Sequence, residues 1–145
     1  MKLKGSETAR YLARPDPDRP GLLIHGADAM RVAIRRAEAI AAQTGHRADE
    51  EKQQAQINDG DLRREPALLL DAVKAVGFFP GRRVVFVEDA GDGLAGVITD
   101  ALAAWGPGDA VIVVTAGMLG RASKLRKLFE SHPQAVIAPI YDDPP

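Results

Sequence analysis

The sequence contains no cysteine, few aromatic residues and almost no net charge. The absence of cysteine excludes disulfide bonds, thiolate metal sites and cysteine nucleophiles, and it is compatible with the cytoplasmic location that we expect. A net charge of −1 predicts no general attraction to nucleic acid or to a membrane, although a local basic patch is still allowed. No apolar run approaches membrane-spanning length, and residues 1–5 lack a signal core. We therefore expect one globular domain with a substantial core.

Short apolar runs alternate with amphipathic segments of helical length along the chain. Runs of this kind predict buried strands, and they lie at 21–26, 55–57, 84–87, 110–114 and 135–138. Five helices are predicted. One covers 3–12, one follows the N-cap Asp28, one is opened by Asp61 and Pro66 and ended by Gly77, one covers 93–105, and one follows the N-cap Ser123. The stretch 43–54 is polar and predicts a loop.

This alternation predicts an α/β fold, with a mostly parallel five-stranded sheet and helices on both faces. Ligands of such sheets usually bind beyond the carboxyl ends of the strands. The last residues, 142–145, contain a Pro-Pro pair that suits neither a strand nor a helix interior. We expect a domain at 1–141 and, at 142–145, the start of a linker to further C-terminal domains.

The turn after the first strand stands where a nucleotide-binding protein would carry its phosphate loop. Such a loop needs several glycines, a lysine and a Ser or Thr hydroxyl for magnesium. Here the turn runs from Gly26 through Asp28 to Arg31 and lacks the Gly-Lys-Ser/Thr sequence. Asp28 is interpreted as a helix cap that places a carboxylate where phosphates would lie. Arg31 can contact a phosphate but cannot replace the loop, so the nucleotide site is predicted to be degenerate, with no cofactor.

Other catalytic patterns are weak. Glu88 and Asp89 end a buried strand as the acids of a Walker-B strand do, but without a phosphate loop they are interpreted as caps or surface charges. The three histidines, at 25, 46 and 132, have no metal-ligand spacing, and no metal site is predicted. His25 is expected to be packed or hydrogen-bonded.

An aromatic pair is the most distinctive local feature. Phe78 and Phe79 follow a helix-ending glycine and precede Pro80-Gly81. Two successive side chains on a turn do not easily enter one core, so the pair suits a projecting anchor for a partner's pocket. Packing of both rings against neighbouring helices is the alternative that the sequence leaves open.

Four segments occur in an order that resembles one family. They are the degenerate turn at 26–31, the continuous stretch 75–89, the strand residues 113–115 and the helix 123–129. They are similar to the N-terminal domain of the delta subunit of the bacterial DNA polymerase III clamp loader. The resemblance covers essentially the whole chain. It implies an AAA+ (RecA-like, P-loop NTPase-like) fold without ATPase activity.

The resemblance also implies partners and a binding site. The family domain binds the sliding clamp (beta subunit), helps to open the ring, and works with other clamp-loader subunits within the DNA-directed DNA polymerase holoenzyme. The domain would contact DNA only indirectly or within the assembled complex, and no membrane is involved. Phe78 replaces the usual leucine of the family's hydrophobic pair, and Lys74 stands where many clamp-binding peptides have glutamine. The implied clamp-binding residues are Val76, Gly77, Phe78, Phe79 and Pro80, with Arg82 near the rim.

Two other functions compete with clamp binding. One is an AAA+ ATPase with an atypical phosphate loop. The other is direct DNA binding through a basic segment, for which a solvated helix face is the simpler explanation. The basic residues concerned are Arg121, Lys124, Arg126 and Lys127.

Overall fold

The structure is a computed structural model, and it describes residues 1–16, 18–44, 54–75 and 83–140. Its centre is a sheet of five strands in the order β2-β3-β4-β1-β5, with every neighbouring pair parallel. The predicted five-stranded parallel sheet is therefore confirmed. The strands are β1 (Gly21–His25), β2 (Gln54–Asn58), β3 (Val84–Glu88), β4 (Val111–Ala116) and β5 (Val136–Pro139).

Helices connect successive strands and cover both faces of the sheet. They are α1 (Ser6–Ala13), α2 (Ala29–Thr44), α3 (Asp59–Arg64), α4 (Ala67–Lys74), α5 (Ala95–Ala104) and α6 (Lys124–Ser131), and a 3-10 turn at Asp92–Leu94 precedes α5. Parallel strands require such crossover connections.

Alternate residues of β1, β3, β4 and β5 enter two separate cores. Leu23 belongs to a cluster that includes side chains of α4, α5 and α6. Its neighbours Leu22 and Ile24 belong to the opposite cluster, which includes side chains of α1 and α2. This alternation follows from the two-residue period of a strand, and it explains why these four strands are mostly apolar, whereas β2, at the edge of the sheet, buries only Ile57 among its described side chains.

The predicted single helix between Asp61 and Gly77 is wrong, because two helices occupy this stretch. Asn58, rather than Asp61, caps α3, since its side-chain oxygen accepts the Asp61 N–H at 2.8 Å. Glu65 then leaves the helical conformation, as a residue before proline tends to do. The next helix, α4, ends at Lys74, before the predicted Gly77, which lies outside the described residues.

The predicted loop beginning at residue 43 also starts too early. Gln43 and Thr44 are the last residues of α2, and both are buried. The Thr44 hydroxyl donates to the Ile40 carbonyl at 3.0 Å, which keeps this polar side chain satisfied inside the last turn.

Candidate functional site

The turn that leaves β1 is held against the end of β5. The Ile140 N–H donates to the His25 carbonyl at 2.8 Å, and the Gly26 N–H donates to the Ala116 carbonyl at 3.3 Å. A Cβ atom at Gly26 would lie 2.5 Å from the Ile140 carbonyl oxygen. Glycine is therefore required here by close backbone approach to β5.

Asp28 closes the start of α2, as the sequence predicts. Its Oδ1 accepts the backbone N–H groups of Met30 at 3.0 Å and Arg31 at 3.2 Å. Its Oδ2 lies 3.3 Å from Arg31 Nε. The same N–H groups would face the phosphates in a phosphate loop, so the carboxylate occupies the place of an anion. The structure thus brings Gly26, Asp28 and Arg31 together in one short turn without a phosphate cradle.

The two acids at the end of β3 are exposed, in agreement with their interpretation as surface charges. Glu88 Oε2 accepts the side-chain amide of Gln56 at 2.6 Å. Asp89 has a φ of 54°, and its N–H donates to the Thr115 hydroxyl at 3.0 Å. The opening beside them has a volume of about 240 Å³, which is below the about 300–1,000 Å³ typical of small-ligand pockets. Arg36, on its wall, lies over the Phe86 ring at 4.8 Å.

The proposed clamp-binding residues Val76, Gly77, Phe78, Phe79 and Pro80, together with Arg82, lie outside the described residues. The structure does describe the residues that flank them. The Lys74 ammonium donates to the Ala104 carbonyl at 2.7 Å and to Asp109 Oδ2 at 2.5 Å. This bond holds the pKa of the Asp109 carboxyl below its usual value. Lys74 therefore anchors the end of α4 to the α5–β4 connection.

The other flank is anchored to the last turn of α4 itself. The Arg83 guanidinium donates to the Ala72 and Val73 carbonyls at 3.4 and 3.5 Å. The Val73 carbonyl also accepts the Ala110 N–H at 3.1 Å. Lys74, at the end of α4, and Arg83, which precedes β3, are thus both held by contacts within the described residues. No sequence motif indicated this arrangement, because the partners are far apart along the chain.

The basic segment divides into two groups. Arg121, Lys124 and Lys127 are exposed, as a solvated face requires. Arg126 instead donates to the Leu119 carbonyl at 3.0 Å and to Glu130 at 3.3 Å. The predicted cap of this helix is confirmed, since the Ser123 hydroxyl oxygen accepts the Arg126 N–H at 3.2 Å.

The described histidines have different surroundings. His25 is packed, as expected, with 7% of its surface exposed, but its Nε2 has no hydrogen-bond partner in the part of the chain that the structure describes. Burial, and then the charge of Arg126, lower the pKa of His25. His132 Nδ1 accepts the N–H groups of Gln134 and Ala135 at 3.1 and 3.2 Å.

Two general properties of the described residues bear on function. Among them, no cluster of three His, Cys, Asp or Glu side chains is placed to hold a metal ion. The same described ranges include no helix with both the length and the apolar content to cross a membrane.

The strand order, the helices on both faces and the turn at the carboxyl end of β1 define an α/β domain with an AAA+ (RecA-like) fold. In this domain a capped helix start replaces the phosphate loop.

Solved structures give a more particular likeness. The DNA clamp loader delta protein of Bacillus subtilis matches 95% of this chain with a TM-score of 0.70 and 14% identity. A DNA polymerase III gamma subunit-related protein of Thermotoga maritima matches 88% with a TM-score of 0.54 and 15% identity. The DnaC helicase loader matches 97% of this chain and 93% of its own, with a TM-score of 0.53 and 12% identity.

These likenesses establish the fold. The chain spans 42% of the length of each of the first two proteins. No protein-family model matches the sequence, and no curated protein matches it.

Proposed function

We propose that this chain is the clamp-binding domain of a non-catalytic clamp-loader subunit, and that it binds the DNA polymerase III sliding clamp and helps to open the ring. The observation that carries the proposal is the likeness to a clamp loader delta protein along 95% of the chain. The capped turn at Asp28 supports a non-catalytic role, because the N–H groups that would bind phosphate already have an acceptor.

In this proposal, Phe78 and Phe79 enter an apolar pocket on the clamp. Val76, Gly77 and Pro80 shape the turn, and Arg82 contacts the rim. The anchoring of Lys74 to Asp109 and of Arg83 to the Val73 carbonyl supports this assignment, because fixed flanking residues lower the entropy lost when a short segment binds. The subunit opens the ring only if it binds the open clamp more tightly than the closed one. ATP acts through other loader subunits, and the domain contacts DNA only within the assembled complex.

The first prediction concerns the aromatic pair. Replacing both Phe78 and Phe79 with alanine should weaken clamp binding by about 2–4 kcal/mol or more, as expected for the loss of buried aromatic anchors. Clamp affinity is measured by surface plasmon resonance, with circular dichroism as the test of folding.

A matched control removes exposed apolar surface elsewhere. Met30 and Ile34 are 72% and 54% exposed on α2, and their double alanine variant should keep the affinity of the unmodified domain. A folded Phe78→Ala/Phe79→Ala variant with unchanged clamp affinity would refute the proposed site.

The two competing functions give different results. An AAA+ ATPase with an atypical loop would show saturable Mg-ATP binding in calorimetry. Direct DNA binding through Arg121, Lys124 and Lys127 would show a steep decrease of affinity with salt. Under the proposed function, the isolated domain shows neither behaviour.

A further inference from the structure

A second pocket lies at the same edge of the sheet, on the face covered by α6. The side chain of His25 shares its face of β1 with Gly21 and Leu23, because strand residues alternate. That face is directed towards α5 and α6, since a Cβ atom at Gly21 would meet Leu102 and Phe129. The Asp28 cap belongs to α2, whose core side chains pack on the opposite face. The pocket therefore lies away from the Asp28 cap, although Gly26 and Ala27, the first residues of the turn, form part of its wall.

The pocket has the size and lining of a small-molecule site. Its volume is about 340 Å³, within the about 300–1,000 Å³ of typical ligand pockets. Apolar side chains form most of its wall, and His25 and Arg126 are its two side chains with nitrogen groups. The apolar members are Ala27, Met118, Leu119, Pro139 and Ile140.

His25 is the feature that requires an explanation. It is more than nine-tenths buried, and its Nε2 has no partner among the described residues. Buried polar atoms without a hydrogen bond are rare in folded proteins, and an unfilled ligand or water position is one of their usual causes. The imidazole lines the pocket, but its Nε2 is itself covered, so a ligand contacts this nitrogen only after a small movement of the pocket wall.

The charges around the pocket favour an anion. Arg126 is held in place by the Leu119 carbonyl at 3.0 Å and by Glu130 at 3.3 Å. Lys2 lies 3.6 Å from the other oxygen of Glu130, so two cations share one carboxylate. Because Arg126 is the one charged side chain on the described wall of the pocket, a carboxylate is a better match than an ammonium group.

We propose that this pocket binds a small aliphatic carboxylate, with its carboxylate between His25 and Arg126 and its apolar body against Met118, Leu119 and Ile140. The guanidinium supplies the charge and the imidazole supplies the second polar contact. This site does not depend on the aromatic turn or on clamp binding.

The test uses isocaproate, with isocaproamide as its uncharged match. The imidazole resonances of His25 are followed by NMR during the titration, and those of His132 serve as an internal control. Isocaproate should shift the His25 resonances saturably and raise the pKa of His25, since it brings a negative charge to the ring. Isocaproamide should bind about tenfold more weakly, because it lacks the charge-assisted hydrogen bond.

Two variants complete the experiment. Arg126→Gln should weaken isocaproate binding about tenfold while leaving isocaproamide unaffected. Ala27→Leu, at an exposed wall position, should block both ligands without removing a polar group. No saturable shift with isocaproate would mean that the pocket holds water only. Equal affinity for the acid and the amide, or for the unmodified protein and Arg126→Gln, would also overturn the proposal.

Discussion

Asp28 decides the chemistry of the turn after β1. A helix start with unsatisfied N–H groups attracts anions, and the carboxylate of Asp28 meets this demand from within the chain. It accepts two backbone N–H groups and lies within ion-pair distance of Arg31. A phosphate would have to displace all of these contacts and would also be repelled by the carboxylate.

Replacement of Asp28 therefore has a predictable effect on stability. Asp28→Ala should lower the free energy of unfolding by about 1 kcal/mol, the usual value for the loss of an N-cap side chain. Chemical denaturation measures the change. Asp28→Asn is the control, because asparagine caps helices about as well as aspartate. If the alanine variant were as stable as the unmodified protein, the cap would contribute nothing.

At the residue scale, the sequence predicts caps better than it predicts pockets. Asp28 and Ser123 are recognisable because a capping side chain acts on residues two or three positions further along the chain. The pocket around His25 joins residues 25–27, 118–120, 126 and 139–140, which only the folded sheet brings together. Sequence reasoning placed His25 in a packed environment but had no means of finding its neighbours.

The end of α4 is held by an ion pair between two residues that are far apart along the chain, Lys74 and Asp109. Lys74 leaves the last turn of this helix and reaches the Ala104 carbonyl and Asp109, which also accepts the Gly106 N–H at 2.8 Å. One lysine thus connects the end of a helix to the connection between α5 and β4. The position of α4 relative to the sheet depends in part on this ion pair.

This ion pair should make the attachment of α4 sensitive to acid. The folded-state pKa of Asp109 is lowered, first by the Lys74 hydrogen bond. Its contribution to stability is therefore complete above the unfolded-state value of about 3.9 and is lost as the pH falls through the lower folded-state value. Asp109→Asn should be less stable than the unmodified protein at neutral pH and should lose this disadvantage progressively in acid, as measured by unfolding at a series of pH values.

Lys74→Met provides the control for this pair. In the Lys74→Met background, Asp109→Asn should change the pH dependence less than it does alone, because the two side chains interact. Additive effects of the two changes would show that Asp109 acts without Lys74.

At the element scale, the sequence predicts correctly those strands whose formation is dominated by the burial of apolar side chains. The predicted runs 84–87 and 110–114 correspond to β3 and β4, whose apolar residues are buried and which are paired on both sides. The stretch around α3 and α4 was mistaken for one helix, because Asp61 and Pro66 both resemble helix starts. The structure separates them at Glu65, whose backbone is restricted by the following proline.

The whole molecule depends on two core layers, one on each face of the sheet. Leu23 and Ile24 are adjacent in β1, fully buried, and belong to opposite clusters. Leu23→Ala and Ile24→Ala should each lower the free energy of unfolding by about 2–5 kcal/mol, as large-to-small core changes do. Ile34→Ala, on the exposed surface of α2, should change it by less than about 0.5 kcal/mol.

Chemical denaturation of the three variants compares the two layers directly. A small effect of Leu23→Ala or of Ile24→Ala, in the range of the surface variant, would mean that one face of the sheet is not a core.

At the scale of the whole molecule, the sequence predicted the architecture because alternating strands and helices permit few arrangements. It did not predict the strand order, since apolar runs of similar composition do not specify which strand lies beside which. The position of β1 between β4 and β5 emerges only from the pairing of the folded chain.

The close approach of Gly26 to Ile140 limits how this domain can be re-engineered. A designer who grafted a glycine-rich phosphate loop after β1 would remove the Asp28 cap, but would also need room that the end of β5 already occupies. The graft would have to be accompanied by a redesigned exit from the last strand. Recovery of nucleotide binding therefore requires changes both in the turn after β1 and at the end of β5. Single substitutions in the turn are not expected to restore it.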